Sequence, residues 1–581
     1  MPNNKLSAFA EASRRTWALA IPYFSSKDKW RARSMFAAIV VLNLAAVYML
    51  VQLNDWNRAF YDALQNKNQA VYWQQLQRFT ILAFAYIVIA VYKFYLRQLL
   101  EVRWRAWMTE HYLERWLANN SFYRLELARF GKEGTPPDNP DQRIQEDLQL
   151  FTQDTLFLGF GLLDSVVTLV SFVGILWGLS GSFSFTLAGS QWTIPGFMVW
   201  AAVGYALFGS VMTNYIGRPQ IKLNFNQQRL EADFRHHMVR VREYSEAIAL
   251  DRGERVEREH LDLRFSRVLA NYLQLIRKQK NLIWFTVSFG QVTTIFPFLV
   301  AAPRYFTGAI QLGELMQISS AFGQVSDALT WFVDNYPRFA AWRATVDRLS
   351  SFEESMQRTA AQGLPQQREE GVDLAAQGLT LALPDGRLLL EDVNAQARPG
   401  DTVLLRGPSG SGKSSLLRAF AGIWPFARGR VEMPRDAMTV PQNPYFPDGS
   451  LRSALAYPDP ASAYSDQQLR DALDAALLPQ LASRLDDEDA WTQKLSGGER
   501  QRLALARVFL KKPAWVLADE ATSALDEPAE RALYERLLAL VREKGGGLVS
   551  IAHRPALERY HEKQWELVPA EGAAAYRLQA G

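Results

Sequence analysis

The chain has 581 residues, room for two to four domains, and its formal charge of +4 is too small at that length to point to a nucleic-acid partner. It contains no cysteine, which excludes disulfides, thiolate metal sites and a cysteine nucleophile. Seventeen Trp and 33 Phe are many for an ordinary soluble enzyme and imply that part of the chain meets lipid.

Residues 1–34 are polar and basic, with Trp17, Tyr23 and Trp30 set among charges. This pattern predicts a segment lying in the membrane interface ahead of the first span, the alternative being a disordered basic tail. No cleavable leader is read, because the first apolar run is long enough to span. Five apolar stretches approach the roughly 20 residues needed to cross a bilayer, near 35–53, 79–96, 156–179, 194–215 and 282–302. Residues 312–336 carry Glu314, Asp327 and Asp334 and alone read as an amphipathic core helix. They are taken as the sixth span because an even number returns the chain to the side on which it began. Lys and Arg crowd the leader and the segments 97–155 and 216–281, whereas 180–193 has neither, so the basic segments are expected in the cytoplasm. The expected domains are an interfacial segment 1–34, a membrane domain 35–350, a polar linker 351–373 and a nucleotide-binding domain 374–581.

Within the last domain, Asp401–Arg406 is a short apolar run suited to a buried strand. Gly407-Pro408-Ser409-Gly410-Ser411-Gly412-Lys413-Ser414 follows and fits G-x-x-x-x-G-K-[ST]. Its glycines let backbone N–H groups approach phosphate, Lys413 adds a positive charge, Ser414 offers a magnesium ligand, and the helical spacing of 415–424 supplies an anion-binding N-terminus. Val516–Glu520 reads as an apolar strand ending in two carboxylates that point to opposite sides. Asp519 is then directed to the magnesium shell and Glu520 to the water that attacks the γ-phosphate.

Leu495-Ser496-Gly497-Gly498-Glu499, read with the phosphate loop, resembles the ATP-binding cassettes. That resemblance implies ATP and Mg2+ as cofactors. It implies that Ser496, Gly497 and Gly498 of one copy close over nucleotide held by the phosphate loop of a second. It also implies that Gln442 ligates magnesium and couples to the membrane domain, that His553 contacts the γ-phosphate, and that Ser523–Asp526 faces the opposing loop. The long cytoplasmic extensions are similar to those of exporter-type half-transporters. The predicted fold is a multi-domain membrane protein, an all-α six-helix exporter-type domain followed by an α/β P-loop ATPase domain.

Over nearly its whole length the chain resembles the SbmA/BacA-like half-transporters fused to an ATPase (the YddA type), relatives of the peroxisomal subfamily D transporters. The residues that carry this are 22–30, 56–64, 103–107 and 139–144 in the membrane half and 421–425 and 440–451 in the ATPase half. Residues 246–254 look like the coupling motif, with Glu246, Gly253 and Glu254 as its polar and turn positions. One departure is Leu383 before Pro384, where an aromatic that stacks on the base is expected, so adenine would be held by apolar contact or by an aromatic elsewhere.

A single cassette cannot complete its own site, so a homodimer is expected, the alternative being a heterodimer with a paralogue, in a bacterial inner membrane with the ATPase in the cytoplasm. Polar residues within the spans, Asn43, Asp164, Asn214, Gln291, Gln324, Asp327 and Asp334, are costly against lipid and should line the dimer cavity or pair between helices. Asp164, Asp327 and Asp334 are the acidic cavity candidates. They suit hydrophilic or cationic cargo, and the resemblance points to uptake of peptides or cobalamin-like compounds. A lipid or fatty acyl-CoA exporter or flippase, and a non-transporting ATP-gated channel or sensor, are the other readings.

Overall fold

The computed structural model describes residues 3–128, 130–131, 139–180, 182–187, 190–361 and 366–580. It divides into two compact units, Met1–Tyr112 with Asp141–Ser350, and Leu113–Pro140 with Ser351–Gly581.

The first unit is helical. Helix α1 (Asn3–Phe24) leads into α2 (Lys29–Gln65) and α3 (Gln69–Leu117), which runs out of the unit towards α4 (Ser121–Ala128). Then come α5 (Leu148–Ser180), α6 (Phe197–Glu243), a short α7 (Ser245–Leu250), α8 (Glu254–Phe306), α9 (Leu312–Asp334) and α10 (Tyr336–Ala361). Five of these, α2, α3, α5, α6 and α8, are long and apolar enough to cross a membrane. Helices α6 and α8 have 47 and 53 residues. At 1.5 Å per residue they measure roughly 70–80 Å, more than twice a hydrocarbon core of about 30 Å. The charged remainder therefore stands outside the apolar layer.

Helix α9 shows how one segment supports two sequence readings. Leu315, Ile318, Phe322 and Val325 recur at helical spacing and are buried. The helix packs against α2, α5, α6 and α8. A helix surrounded by other helices keeps polar groups away from lipid, which is why it can carry Glu314, Asp327 and Asp334. Its first turn is held by side chains of α2: the Leu312 amide donates to Gln65 Oε1 at 2.6 Å, the Gly313 amide donates to Asp62 Oδ1 at 2.8 Å, and Arg58 pairs with Glu314 at 3.0 Å. Donors that a helix N-terminus leaves unpaired are thus satisfied.

Other polar groups in the bundle pair between helices. Asn43 donates to the Phe160 carbonyl and Asn54 to that of Gln317. Asp147 is buried and holds Arg143 and Arg348, and Asp154 accepts from Arg338 at 2.6 Å while the Arg338 guanidinium lies 3.7 Å from the centre of the Phe157 ring. At the start of the chain, Tyr23 is buried and stacks on Trp104, leaving Trp17 and Trp30 exposed as an interfacial segment requires.

Two segments add to or differ from their sequence reading. The uncharged stretch between the third and fourth apolar runs, noted only for its lack of Lys and Arg, carries an antiparallel hairpin of β1 (Ser182–Leu187) and β2 (Ser190–Pro195). The linker expected over 351–373 is helical as far as Ala361 and becomes a strand at Gln366, with residues 362–365 outside the described part. Phe352 and Met356 explain the helix: both are buried, so a segment that reads as polar has an apolar edge.

The second unit is built on a ten-stranded sheet. Its strands are β3 (Gln366–Gly371), β4 (Leu374–Ala382), β5 (Leu388–Ala397), β6 (Thr402–Arg406), β7 (Ala427–Pro434), β8 (Ala437–Val440), β9 (Trp515–Asp519), β10 (Gly547–Ile551), β11 (Lys563–Pro569) and β12 (Tyr576–Ala580). Their order is β3-β7-β4-β5-β12-β11-β6-β10-β9-β8. The run β6-β10-β9-β8 is parallel, and β9 and β10 are buried throughout, as strands covered on both faces must be. Helix α11 (Lys413–Phe420) follows β6, and α12 (Gly497–Lys511) begins at the LSGGE segment.

Gly313 has no room for a side chain, since an added Cβ would enter the Arg58 carbonyl and the Asp62 carboxylate. Gly313→Val should destabilise the helical unit by about 1–3 kcal/mol, as overpacking does. A thermal-unfolding midpoint equal to wild type in detergent would show that α2 and α9 do not depend on this approach.

Candidate nucleotide site and membrane cavity

Ligands in open α/β sheets bind beyond the carboxyl ends of the parallel strands, and the expected ATPase residues gather there. The loop from Gly407 to Gly412 leaves β6 and enters α11. Gly407 has φ +145°, and a Cβ there would strike the Leu567 carbonyl oxygen and Cβ, so this turn requires glycine. Lys413 is buried and donates to the Gly407 and Pro408 carbonyls at 2.8 and 2.9 Å. Burial pushes its ammonium pKa down, while Glu520 and Asp519 oppose that shift. A cation curled under its own loop in this way fits an anion bound above it. Ser411 adds a buried hydroxyl with no hydrogen-bond partner.

Ser414 Oγ donates to Asp519 Oδ1 at 3.0 Å. Burial raises the Asp519 carboxyl pKa, and the Ser414 hydrogen bond works against it. A hydroxyl beside a desolvated carboxylate is a set of hard oxygen donors, which fits Mg2+ and does not favour a softer metal. Glu520, at the end of β9, has φ +48°, unusual for a residue with a side chain. One carboxylate oxygen accepts from Gln442 Nε2 at 2.7 Å, and the other lies 3.1 Å from His553 Nε2. Lys413, Ser414, Asp519, Glu520, Gln442 and His553, drawn from four loops, therefore form one constellation.

Ser496, Gly497 and Gly498 stand apart from it. Ser496 caps α12, accepting from the Glu499 amide while Glu499 bonds back to the Ser496 amide and hydroxyl. These contacts lower the Glu499 carboxyl pKa. Among the described residues no hydrogen bond joins the three to Lys413, Ser414 or Glu520. The tie runs through Gln501 instead: it donates to the Glu520 carbonyl at 3.2 Å and Ser523 Oγ at 3.0 Å and accepts from the Ala524 amide at 2.8 Å. Gln501 was not picked out by sequence reasoning, although it lies two residues beyond the LSGGE segment.

A second residue group missed in the sequence is α4. Leu125 and Leu127 are buried, and Leu127 joins the apolar cluster that holds Leu416, Leu417, Phe420 and Trp424, with Tyr123 packed against it. Apolar residues at 122, 123, 125 and 127 between two charged stretches were the available signal. Leu383 lies at the edge of the same cluster. The segment 246–254 behaves differently: Glu246 and Glu254 are exposed, and Tyr244 and Leu250 at its ends are 58% and 77% exposed.

In the helical unit, α6, α8 and α9 enclose a cavity of about 480 Å3. Asp327 and Asp334 line it together with eight Ser and Thr side chains and no Lys, Arg or His. Asp164 does not line this cavity; its carboxylate faces Lys93 at 3.6 Å, which is the pairing between helices that was the other expectation for polar residues in the spans. A lysine within the span 79–96 needs a partner, and that was the overlooked signal.

The comparisons agree with this geometry. The family described as ABC transporter transmembrane region 2 matches residues 19–306, and the one described as ABC transporter matches 390–523. Inner membrane ABC transporter ATP-binding protein YddA of Escherichia coli is 35% identical, the alignment covering 92% of this chain and 94% of that one. The chain is an ABC transporter. ABC transporter D family member 2, chloroplastic, of Arabidopsis thaliana is 31% identical over 98% of this chain and 88% of its own. The human lysosomal cobalamin transporter ABCD4 is 27% identical over 92% of each. In fold, this ABC transporter is similar to a bacterial Atm1-family ABC exporter with ATP bound, at a TM-score of 0.68 and 18% identity, covering 94% of this chain and 95% of that one. The expected exporter-type helical domain followed by an ABC ATPase is thus the architecture found, and ATP hydrolysis coupled to transport is the activity of the family.

Gln501→Ala removes three hydrogen bonds that tie α12 to the turn after β9. It should lower the stability of the ATPase unit by about 1–3 kcal/mol, since buried backbone groups lose partners. ATP turnover should fall with it. Unfolding by circular dichroism together with phosphate release checks this, and wild-type values for both would remove Gln501 from that role.

Proposed function

We propose that this ABC transporter is an ATP-driven importer of hydrophilic, preferably cationic, solutes, working as a homodimer in a bacterial inner membrane with its ATPase in the cytoplasm. The cavity carries the substrate reading. Two carboxylates and eight hydroxyls with no basic group offer hydrogen bonds and negative charge, which suits peptides or large polar compounds. An acyl chain would leave those groups unsatisfied, so lipid export is the less favoured reading. The names of two relatives lend support, one an inner-membrane protein and one a cobalamin transporter.

In the ATPase, Lys413 and the backbone N–H groups of residues 409–414 bind the phosphates, and Ser414 and Asp519, with Gln442, hold Mg2+. The ion supplies charge neutralisation on the phosphates when bound. Glu520 orients and deprotonates the attacking water, and His553 fixes the Glu520 carboxylate and reaches the γ-phosphate. Ser496, Gly497 and Gly498 of one copy close over the nucleotide of the other, so each chain contributes half of two sites. Glu246, Gly253 and Glu254 shape the exposed tip that passes this closure to the membrane helices.

Glu520→Gln should keep ATP binding and lose hydrolysis by about 10²–10⁴-fold, the usual contribution of a general base. Phosphate release at the wild-type rate would take that role from Glu520. For the cavity, Asp327→Asn combined with Asp334→Asn should lower uptake of a cationic peptide by about 10-fold or more, the scale of a lost charge-assisted contact, with basal ATP hydrolysis retained. Flux into proteoliposomes, with cationic peptide, cobalamin and acyl-CoA in parallel and ATP on either face, measures this. Unchanged peptide flux, or flux of acyl-CoA alone, would overturn the reading.

A further inference from the structure

Helices α6 and α8 run beside each other to a hairpin end closed by residues 244–253. His237 lies in the last two turns of α6, and Glu257 and His260 lie three residues apart, on one face, in the first two turns of α8. His236, His237 and His260 are three of only six histidines in the chain. His237 Nε2 is 2.7 Å from Glu257 Oε2, and the His260 ring stands at 70° to that of His237 with centroids 5.8 Å apart. One ligand atom from each of His237, Glu257 and His260 lies within 4.8 Å of the others, the one such group among the described residues.

We propose that His237, Glu257 and His260 bind a divalent transition metal of the zinc class, pinning α6 to α8 next to the hairpin tip. Two imidazoles and one carboxylate are a ligand set that suits zinc, with a fourth position left for a small ligand. Tetrahedral ligands at about 2.0–2.2 Å from the ion sit about 3.3–3.5 Å from one another, so side-chain rotations of about 1 Å close the group. An ion pair alone accounts for less, because it uses His237 and Glu257 and leaves the His260 ring with no hydrogen bond among the described residues. A cavity of about 480 Å3 adjoins His237 and His260 and is also lined by Asp233, His236, Arg240, Arg264 and Arg267. The three guanidinium groups outnumber the one carboxylate and disfavour a bare dication, so the fourth ligand facing them is anionic, hydroxide or a small anion from solution. The site does not depend on the transport reading; its effect on the coupling tip does.

The test uses the full-length chain without a polyhistidine tag, stripped with chelator and free of nucleotide, with Zn2+ or Co2+ alone as the probe. The site predicts one ion per chain, a Co2+ absorption band of tetrahedral type, and a higher thermal-unfolding midpoint with metal. His260→Ala and Glu257→Gln should each weaken binding by more than about 10-fold, the scale on which even outer-sphere substitutions act, and abolish the metal-induced midpoint shift. Their unfolding midpoints without metal and their Mg2+-supported ATP hydrolysis should match wild type, which separates loss of the site from loss of the fold. Equal Zn2+ affinity in wild type and both variants, or less than one ion per chain at saturation in wild type, would overturn the proposal.

Discussion

Glu520 is the point on which the ATPase unit converges. Its amide donates to the Ile551 carbonyl and its own carbonyl accepts from Gln501, while its two carboxylate oxygens face Gln442 and His553. Three separate segments are fixed by one residue, and the residue is held at a positive φ that the surroundings must stabilise. The parallel order β6-β10-β9-β8 makes this possible, because it brings the loops after four strands to one edge. An ionised carboxylate offers roughly four lone-pair sites, so with Gln442 and His553 engaged it can still accept from a water.

The helical unit obeys a different constraint, that polar groups be kept from lipid. Asn43, Asn54 and Asp154 meet it by pairing with neighbouring helices, and Asp164 meets it through Lys93. Asp327 and Asp334 meet it by facing a cavity. Helix α9 joins the two solutions: its N-terminal turn is satisfied by side chains of α2, and its C-terminal half opens to the cavity among hydroxyl groups. The difference between helix glue and a polar passage thus lies along one helix rather than between helices.

What was legible in the sequence followed from how local the signal was. The phosphate loop, the strand ending at Glu520 and the LSGGE segment each occupy a few consecutive residues with fixed chemistry, and the family and the fold could be read from them. Helix α4 was not legible as a docking element, because its four apolar residues acquire meaning only against Leu416, Phe420 and Trp424, nearly 300 residues away. The polar stretch after residue 351 misled for the same reason: Phe352 and Met356 are two apolar residues among many charges, yet both are buried. Composition shows that a carboxylate such as Asp164 lies in a span but not which way it faces. His237 and Glu257 are 20 residues apart and meet only because α6 and α8 fold back on each other.

The two loop tips of the membrane half differ in a way that bears on the dimer. Helix α4 is covered within its own chain, its Leu127 sharing a cluster with the helix that follows the phosphate loop. Residues 244–253 are not covered, and Leu250 and Tyr244 stand in the open. Apolar groups at the tip of a long hairpin carry a solvation cost that a partner surface removes. Ser496–Gly498 show the same asymmetry, a helix N-terminus suited to an anion and joined by no hydrogen bond to the phosphate loop of its own chain. Under the homodimer reading one operation satisfies both: a second copy supplies phosphate to the one and a surface to the other. The chain would then sense nucleotide through α4 on its own side and through residues 244–253 on its partner's, so that neither site closes without moving helices of both copies.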